Sequence, residues 1–541
     1  MADSESTIDR GPLGSLRSWL GRTARAITGS TVDVERYDPN RHQPLVSFDG
    51  RAGMEEVDRY WVNAPFAFVS INLDREENEY HYQVVEPTLS ELERDLLERL
   101  FEDIRDPLLY REDLSDDPES ALAEELQTRL EEYGVDVDVE TFYRLFYYLY
   151  RQFQGYGKID PLMHDPAIED ISCDGADLPI FVYHDEYTDI GTSVTFDERD
   201  LQNFVIQLAQ RSGRHISVSD PVVSTTLPDG SRIELALGKE VTPRGSAFTI
   251  RKYADEPFTP VDLLNYGTVD RRMLAFLWLA IESNKSLIFA GGTAAGKTTS
   301  MNAVSMFIPP RAKVLTIEDT RELSLYHDNW LSSVTRERFD ETDITMYDLL
   351  RSALRHRPEY IIVGEVRGEE AVTLFQAMNT GHTTYSTMHA DSVQTVINRL
   401  ENDPINVPRP MVASLDLLCV QVLTRHDDER VRRIQTLAEI EGIDQRTGEL
   451  DYSQTFSWEA DDDSFRQRNS DLLEEIADDR GWTRSQLLSE LRDRRRVLAY
   501  LQEQDITDYR RFTSMVNYYY ADKDGLMDEI AESDVETDVQ E

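Results

Sequence analysis

Cysteine, lysine and long apolar runs are all scarce in this chain. Of 541 residues only Cys173 and Cys419 are cysteines, and neither has a metal-type neighbour. That excludes a disulfide framework and a four-cysteine zinc module, and makes the cytoplasm the expected compartment. Lysine occurs only at Lys158, Lys239, Lys252, Lys285, Lys297, Lys313 and Lys523, so the basic residues are almost all arginine. No apolar run approaches the roughly 20 residues that span a bilayer. The stretch Met273-Leu-Ala-Phe-Leu-Trp-Leu-Ala-Ile281 is too short and reads as a core helix. No secretory signal pattern is present, so no transmembrane segment and no export are expected.

Acid is what abounds. There are 103 Asp and Glu against 56 Lys and Arg, a net charge of −47. The acidic residues are dispersed along the chain, which favours adaptation to molar salt over an acidic patch that attracts cationic partners. In molar salt the screening length is about 3 Å. Charge therefore decides little about nucleic acid, and no basic, aromatic-bearing stripe of the kind that binds single strands is visible. No nucleic-acid partner is expected.

With 40% hydrophobic residues, the chain can build sizeable cores in two to four domains. Residues 1–59 read as a variable tail. Within it Leu13, Leu16, Leu20, Ala24 and Ile27 fall near helical spacing between Arg17, Arg22 and Arg25. That stretch is either a membrane-surface helix or a loosely packed tail, and Gly14 and Gly21 weaken the helix. Residues 60–154 read as an α/β extension: strands over 60–85, helices over 87–104, 121–133 and 139–153, and an acidic linker over 112–118. The aromatic-rich last helix is expected to pack, not to stack nucleobases. Residues 155–256 read as an α+β domain. Residues 262–428 alternate strand and helix as a parallel, doubly wound sheet does. Residues 429–541 form an extension of strands, helices and, from about 529, a frayed acidic end.

The segment Gly291-Gly-Thr-Ala-Ala-Gly-Lys-Thr298 fits the phosphate-binding loop G-x-x-x-x-G-K-[ST], the Walker A pattern. A buried strand is expected before it and a helix after it. Backbone N–H groups and the positive helix end then converge on one anion. Gly291 and Gly296 are expected to adopt angles that side chains forbid. Contacts to nucleotide are expected from Gly291, Gly292, Thr293, Ala294, Ala295, Gly296, Lys297, Thr298 and Thr299. Lys297 would reach the β- and γ-phosphates and the Thr298 hydroxyl would bind Mg²⁺.

Two further apolar strands end in acid. Glu365 follows 359–363, where a carboxylate can hold the Mg²⁺ shell or polarise the attacking water. Glu318, Asp319 and Glu322 follow 314–317; they either serve Mg²⁺-bound water or make a solvated turn. His382 and His389 flank a strand-like stretch, and a hydrogen-bonding sensor of the γ-phosphate fits better than zinc, which would need further ligands nearby.

Taken together, these segments resemble the secretion ATPase superfamily that drives type II and type IV secretion, type IV pili and archaella. The resemblance rests on the loop, the acidic box Ile317-Glu-Asp-Thr-Arg-Glu-Leu323, the Walker B segment Val363-Gly-Glu-Val-Arg-Gly-Glu-Glu-Ala371, and the His box Gly381-His-Thr-Thr-Tyr-Ser-Thr-Met-His-Ala390. Gly155-Tyr-Gly-Lys-Ile-Asp160 and Leu227-Pro-Asp-Gly-Ser-Arg-Ile233 are similar to signatures of the preceding domain. Pro179-Ile-Phe-Val-Tyr-His184 and Glu86-Pro-Thr-Leu-Ser90 look like the archaeal branch. The resemblance implies a RecA-like P-loop α/β domain preceded by a smaller α+β, PAS-like domain. It implies a homohexameric, ATP- and Mg²⁺-dependent ATPase, peripheral at the inner face of the cell membrane, that works on an integral membrane platform protein. Glu365 would be the Walker B acid, with Glu318 and His389 in the catalytic surroundings. Arg232 and Arg251, and less well Arg244, match the arginines that would reach the phosphates. The machine would assemble a pilus-like filament or drive secretion; an archaellum motor is the sibling reading and a DNA translocase the reading of another class.

Overall fold

The computed structural model describes residues 37–532 except 40, 49, 52, 110–116, 254–256, 337–342 and 428. The basic stretch over 13–27 and most of the acidic linker lie outside the described residues. The chain divides into two compact units, Met1–Ala254 and Asp255–Glu541.

The first unit is built on one nine-stranded sheet. It opens with β1 (Glu55–Asn63), β2 (Ala67–Asp74) and β3 (Glu79–Val85), then three helices, α1 (Glu91–Leu109), α2 (Pro118–Tyr133) and α3 (Val139–Phe153). A short α4 (Asp160–His164) leads to β4 (Ile168–Cys173), β5 (Pro179–His184) and β6 (Thr188–Thr195). Then come α5 (Glu198–Arg211), β7 (Val222–Thr226), β8 (Arg232–Ala236) and β9 (Ala247–Arg251). The order across the sheet is β1-β2-β3-β6-β5-β4-β9-β8-β7, all pairs antiparallel except β3 with β6. Strands from both sides of residue 155 thus share one sheet. β2 shows why its residues are buried in an unbroken run. Phe68 packs into the core with the α1–α3 helices, while Val69 and Ile71, on the opposite face, pack into the core with α5. The aromatic helix α3 packs as expected: Phe142, Tyr143, Phe146 and Tyr147 are buried, and the Tyr147 hydroxyl donates to Glu86 at 2.6 Å.

The second unit is RecA-like. After α6 (Pro260–Asn265) and α7 (Arg271–Glu282) come β10 (Leu287–Gly291), α8 (Lys297–Ser305), β11 (Val314–Glu318) and β12 (Trp330–Val334). α9 (Met346–Ala353), β13 (Tyr360–Val363), α10 (Glu370–Asn379), β14 (Thr383–His389), α11 (Val393–Glu401) and α12 (Arg409–Val412) follow. The sheet runs β12-β11-β13-β14-β10-β15, all parallel, and continues antiparallel through β16-β17-β18. These last strands are β15 (Leu417–His426), β16 (Glu429–Ile443), β17 (Leu450–Glu459) and β18 (Ser464–Gln467). Parallel strands covered by helices on both faces need apolar side chains on both. β10 meets this: Leu287 and Phe289 enter one core, Ile288 and Ala290 the other.

Four C-terminal helices, α13 (Asp471–Asp479), α14 (Arg484–Glu503), α15 (Tyr509–Ala521) and α16 (Lys523–Glu532), pack on the α7 side of this sheet. Trp278 of α7 stacks on Phe307 with ring centres 4.8 Å apart. The buried Arg494 donates to Glu282 and Glu490. α16 runs to Glu532, past the expected start of a frayed end near 529, and residues 533–541 lie outside the described residues.

Candidate active site

β10 carries the chain into the phosphate loop, and α8 begins at Lys297, two residues before the start the sequence suggested. Lys297 and Thr298 are therefore helical, and the loop proper spans 292–296. Gly296 takes a left-handed angle, φ +89°, as expected, and no side chain caps the helix there. Gly291 is needed for a different reason than expected. Its angle is ordinary, but an added Cβ would run into the Gln421 carbonyl. Ala294, though it carries a Cβ, also has a positive φ of 57°. The Lys297 ammonium donates to the Gly292 carbonyl at 2.9 Å, folding the side chain back over the loop.

Neighbouring parallel strands deliver the acids to the same edge. Glu318, the last residue of β11, is only 1% exposed. Its Oε1 accepts from the backbone N–H groups of Glu322 and Leu323 at 2.8 and 2.9 Å, while Oε2 has no partner. Burial pushes its pKa up to about 7, against those two N–H groups and Arg321, which pull it down. Asp319 and Glu322 face solvent. Glu365 follows β13 and is half-buried. It accepts from Arg367 at 2.5 Å, and that pairing raises the Arg367 pKa. The turn bearing Glu365 is stitched between two strands. The Gly364 N–H donates to Ile317 at 2.8 Å, its carbonyl accepts from the Thr387 hydroxyl at 2.7 Å, and the Val366 N–H donates to Thr387 at 3.0 Å.

The histidines separate. His389 ends β14, exposed and directly opposite Gly291 in the β10–β14 register. His382 precedes the same seven-residue strand, at the other edge of the sheet. Gln421 of β15 is the register partner of Gly291 on the opposite side, buried beneath the loop. Sequence reasoning missed it, because a lone glutamine in an apolar strand carries no motif.

Within the first unit, Arg232 of β8 and Arg251 of β9 are exposed direct cross-strand partners. Arg232 lies 3.9 Å from Glu234, and Arg251 3.7 Å from Asp170. Like charges directly opposite on a sheet repel, and Glu234 and Asp170 are the nearby acids that offset the pair. Arg244 lies on the loop between the two strands, against Gly175, and does not join them. Among the described residues no cluster of three His, Cys, Asp or Glu could hold a metal ion, and no helix is long and apolar enough to cross a membrane.

Comparison with known proteins bears on the whole arrangement. The sequence model described as type II/IV secretion system protein matches residues 155–481. Models described as PilB3-like, N-terminal and PilB3-like, C-terminal match 14–88 and 461–540. An uncharacterized protein of Methanocaldococcus jannaschii is 38% identical over 384 residues, covering 70% of each chain. The type IV secretion system protein PtlH of Bordetella pertussis is 34% identical over 216 residues, 35% of this chain and 62% of its own. Among solved structures, the VirB11 ATPase of the Brucella suis type IV secretion system is 25% identical with a TM-score of 0.27, covering 52% of this chain and 94% of that one. With the family model spanning the arginine-bearing strands, the phosphate loop and both acidic strand ends, the chain belongs to the type II/IV secretion system protein family.

Proposed function

We propose that the chain is an ATP-hydrolysing motor that powers assembly of a pilus-like filament or protein secretion. The observation that carries this is one sheet edge where a phosphate loop, a buried Glu318, Glu365 and His389 end four adjacent parallel strands. The residues present fit ATP with Mg²⁺. The loop has no room for a side chain at Gly291 and little at Gly296, and the uncapped start of α8 favours anions.

Lys297 exchanges the Gly292 carbonyl for the β- and γ-phosphates. The Thr298 hydroxyl would hold Mg²⁺ and Glu365 would hold it through water; the ion would supply positive charge against the phosphates. Glu365, released from Arg367, polarises the attacking water. Glu318 stands behind it in the catalytic surroundings, and His389 hydrogen-bonds the γ-phosphate. Arg232 and Arg251 are the arginines this reading assigns to the phosphates. Six copies form a closed head-to-tail ring at the inner face of the cell membrane, acting on an integral membrane platform protein.

The test is Mg²⁺-dependent phosphate release by the purified full-length chain, with Lys297→Ala beside it. Release by the wild type and none by the variant supports the reading. Equal release by both overturns the site, and no release by either under any salt overturns the motor.

A further inference from the structure

The hairpin β15–β16 touches the phosphate loop at two points, and neither belongs to a motif. Gln421 lies in β15 where the register with β16 shifts, between Val420 and Gln421. Such a bulge re-aims the side chains beside it. Gln421 is 1% exposed, and its Oε1 has no hydrogen-bond partner. Its Nε2 comes within 3.0 Å of where a Cβ at Gly296 would be, and its own carbonyl leaves no room for a Cβ at Gly291. Both loop glycines are therefore glycines partly because of this one residue. From β16, Arg432 donates through Nε to the Ala294 carbonyl at 3.0 Å, and its Cδ lies 3.3 Å from the same Gly296 Cβ position. Arg432 is the register partner of Leu423, two residues beyond Gln421, so the two side chains share one face of the hairpin.

We propose that this hairpin positions the phosphate loop for the nucleotide, with Gln421 beneath the loop and Arg432 outside it as positioning residues. The reasoning is physical. A buried amide oxygen without a donor costs free energy, and an apolar side chain of similar size would avoid that cost. The oxygen is satisfied when the loop closes on phosphate and turns an N–H inward. Arg432 holds the outer carbonyl of Ala294, which keeps the left-handed turn at that residue. The inference rests on the reading of the loop as an ATP site.

The experiment uses the full-length chain and a fluorescent ATP analogue, together with kcat, KM and the melting temperature without nucleotide, for Gln421→Leu, Arg432→Ala and Arg432→Lys. Gln421→Leu is expected to melt no lower than wild type, yet to bind the analogue about tenfold more weakly, the equivalent of one hydrogen bond. KM should rise more than kcat falls. Arg432→Ala should weaken binding several-fold, and Arg432→Lys should recover part of the loss. Folded Gln421→Leu and Arg432→Ala proteins whose Kd and KM stay within twofold of wild type overturn the proposal. If Gln421→Leu does not fold, Arg432→Ala with its lysine rescue decides. Analogue binding that Lys297→Ala abolishes and the hairpin variants leave intact overturns this proposal alone. A wild type that binds no analogue overturns the ATP reading and this one together.

Discussion

The two nine-stranded sheets of this protein place their functional residues by different rules. In the second unit the strands are parallel, and the chemistry gathers at their C-terminal ends. Gly291, Glu318 and His389 end β10, β11 and β14, and Glu365 follows β13, although they span nearly a hundred residues of sequence. In the first unit the pairing is almost wholly antiparallel, and Arg232 and Arg251 meet on an exposed face through the register of β8 with β9. A parallel sheet brings every strand to the same edge by connectivity alone. An antiparallel sheet brings two side chains together only at one register, because a slip of one residue moves each to the other face.

That contrast can be broken by experiment, beginning with the largest effect. Lys297→Ala should reduce ATP hydrolysis to background and abolish nucleotide binding, measured by phosphate release and by analogue fluorescence. Glu365→Gln should keep nucleotide and lose about 10²–10⁴-fold in turnover, the range for a lost general base. Single-turnover hydrolysis at wild-type speed would remove Glu365 from that role. Arg232→Ala and Arg251→Ala should each cost about 10³-fold in kcat while leaving the isolated binding of nucleotide nearly intact. If only one of them matters, their shared register is incidental and the comparison between the sheets weakens.

The smallest effect is on stability. Burial pushes the Glu318 carboxyl up to about 7, above its ordinary 4.5. The fold favours its protonated form. Below about pH 4.5 the group costs nothing; as pH rises towards 7 the nucleotide-free fold loses up to about 3 kcal/mol, and above 7 the loss is constant. Glu318→Gln should therefore raise the melting temperature at pH 8 and raise it less at pH 5.5. An equal shift at both values would show that the carboxyl is ionised throughout.

Much of the second unit was legible in the sequence because its signals are local. Val314-Leu-Thr-Ile-Glu318 and Tyr360-Ile-Ile-Val363 read as short apolar strands closed by acid, and each is a strand. The helix after the loop starts two residues earlier than residue type suggests, since Lys297 and Thr298 are polar yet begin α8. Gly291 departs from the expected special angle for a related reason: its need is space beside Gln421, a neighbour 130 positions away. The open choice at Glu318 is narrowed by its burial, as a solvated turn would leave it exposed. The aromatic helix α3 was read as packing, and its tyrosines bury against β2 and Glu86.

By itself the sequence determined that a phosphate loop stands between a buried strand and a helix, and that acids close the strands that follow it. Those features depend on spacing and residue type along a few turns of chain. Only the tertiary structure decided that Arg232 faces Arg251, that His389 and not His382 shares the edge with Gly291, and that the Gln421 Oε1 lies without a partner beneath the loop. Each of these follows from strand register and burial between distant segments, and no local pattern encodes either.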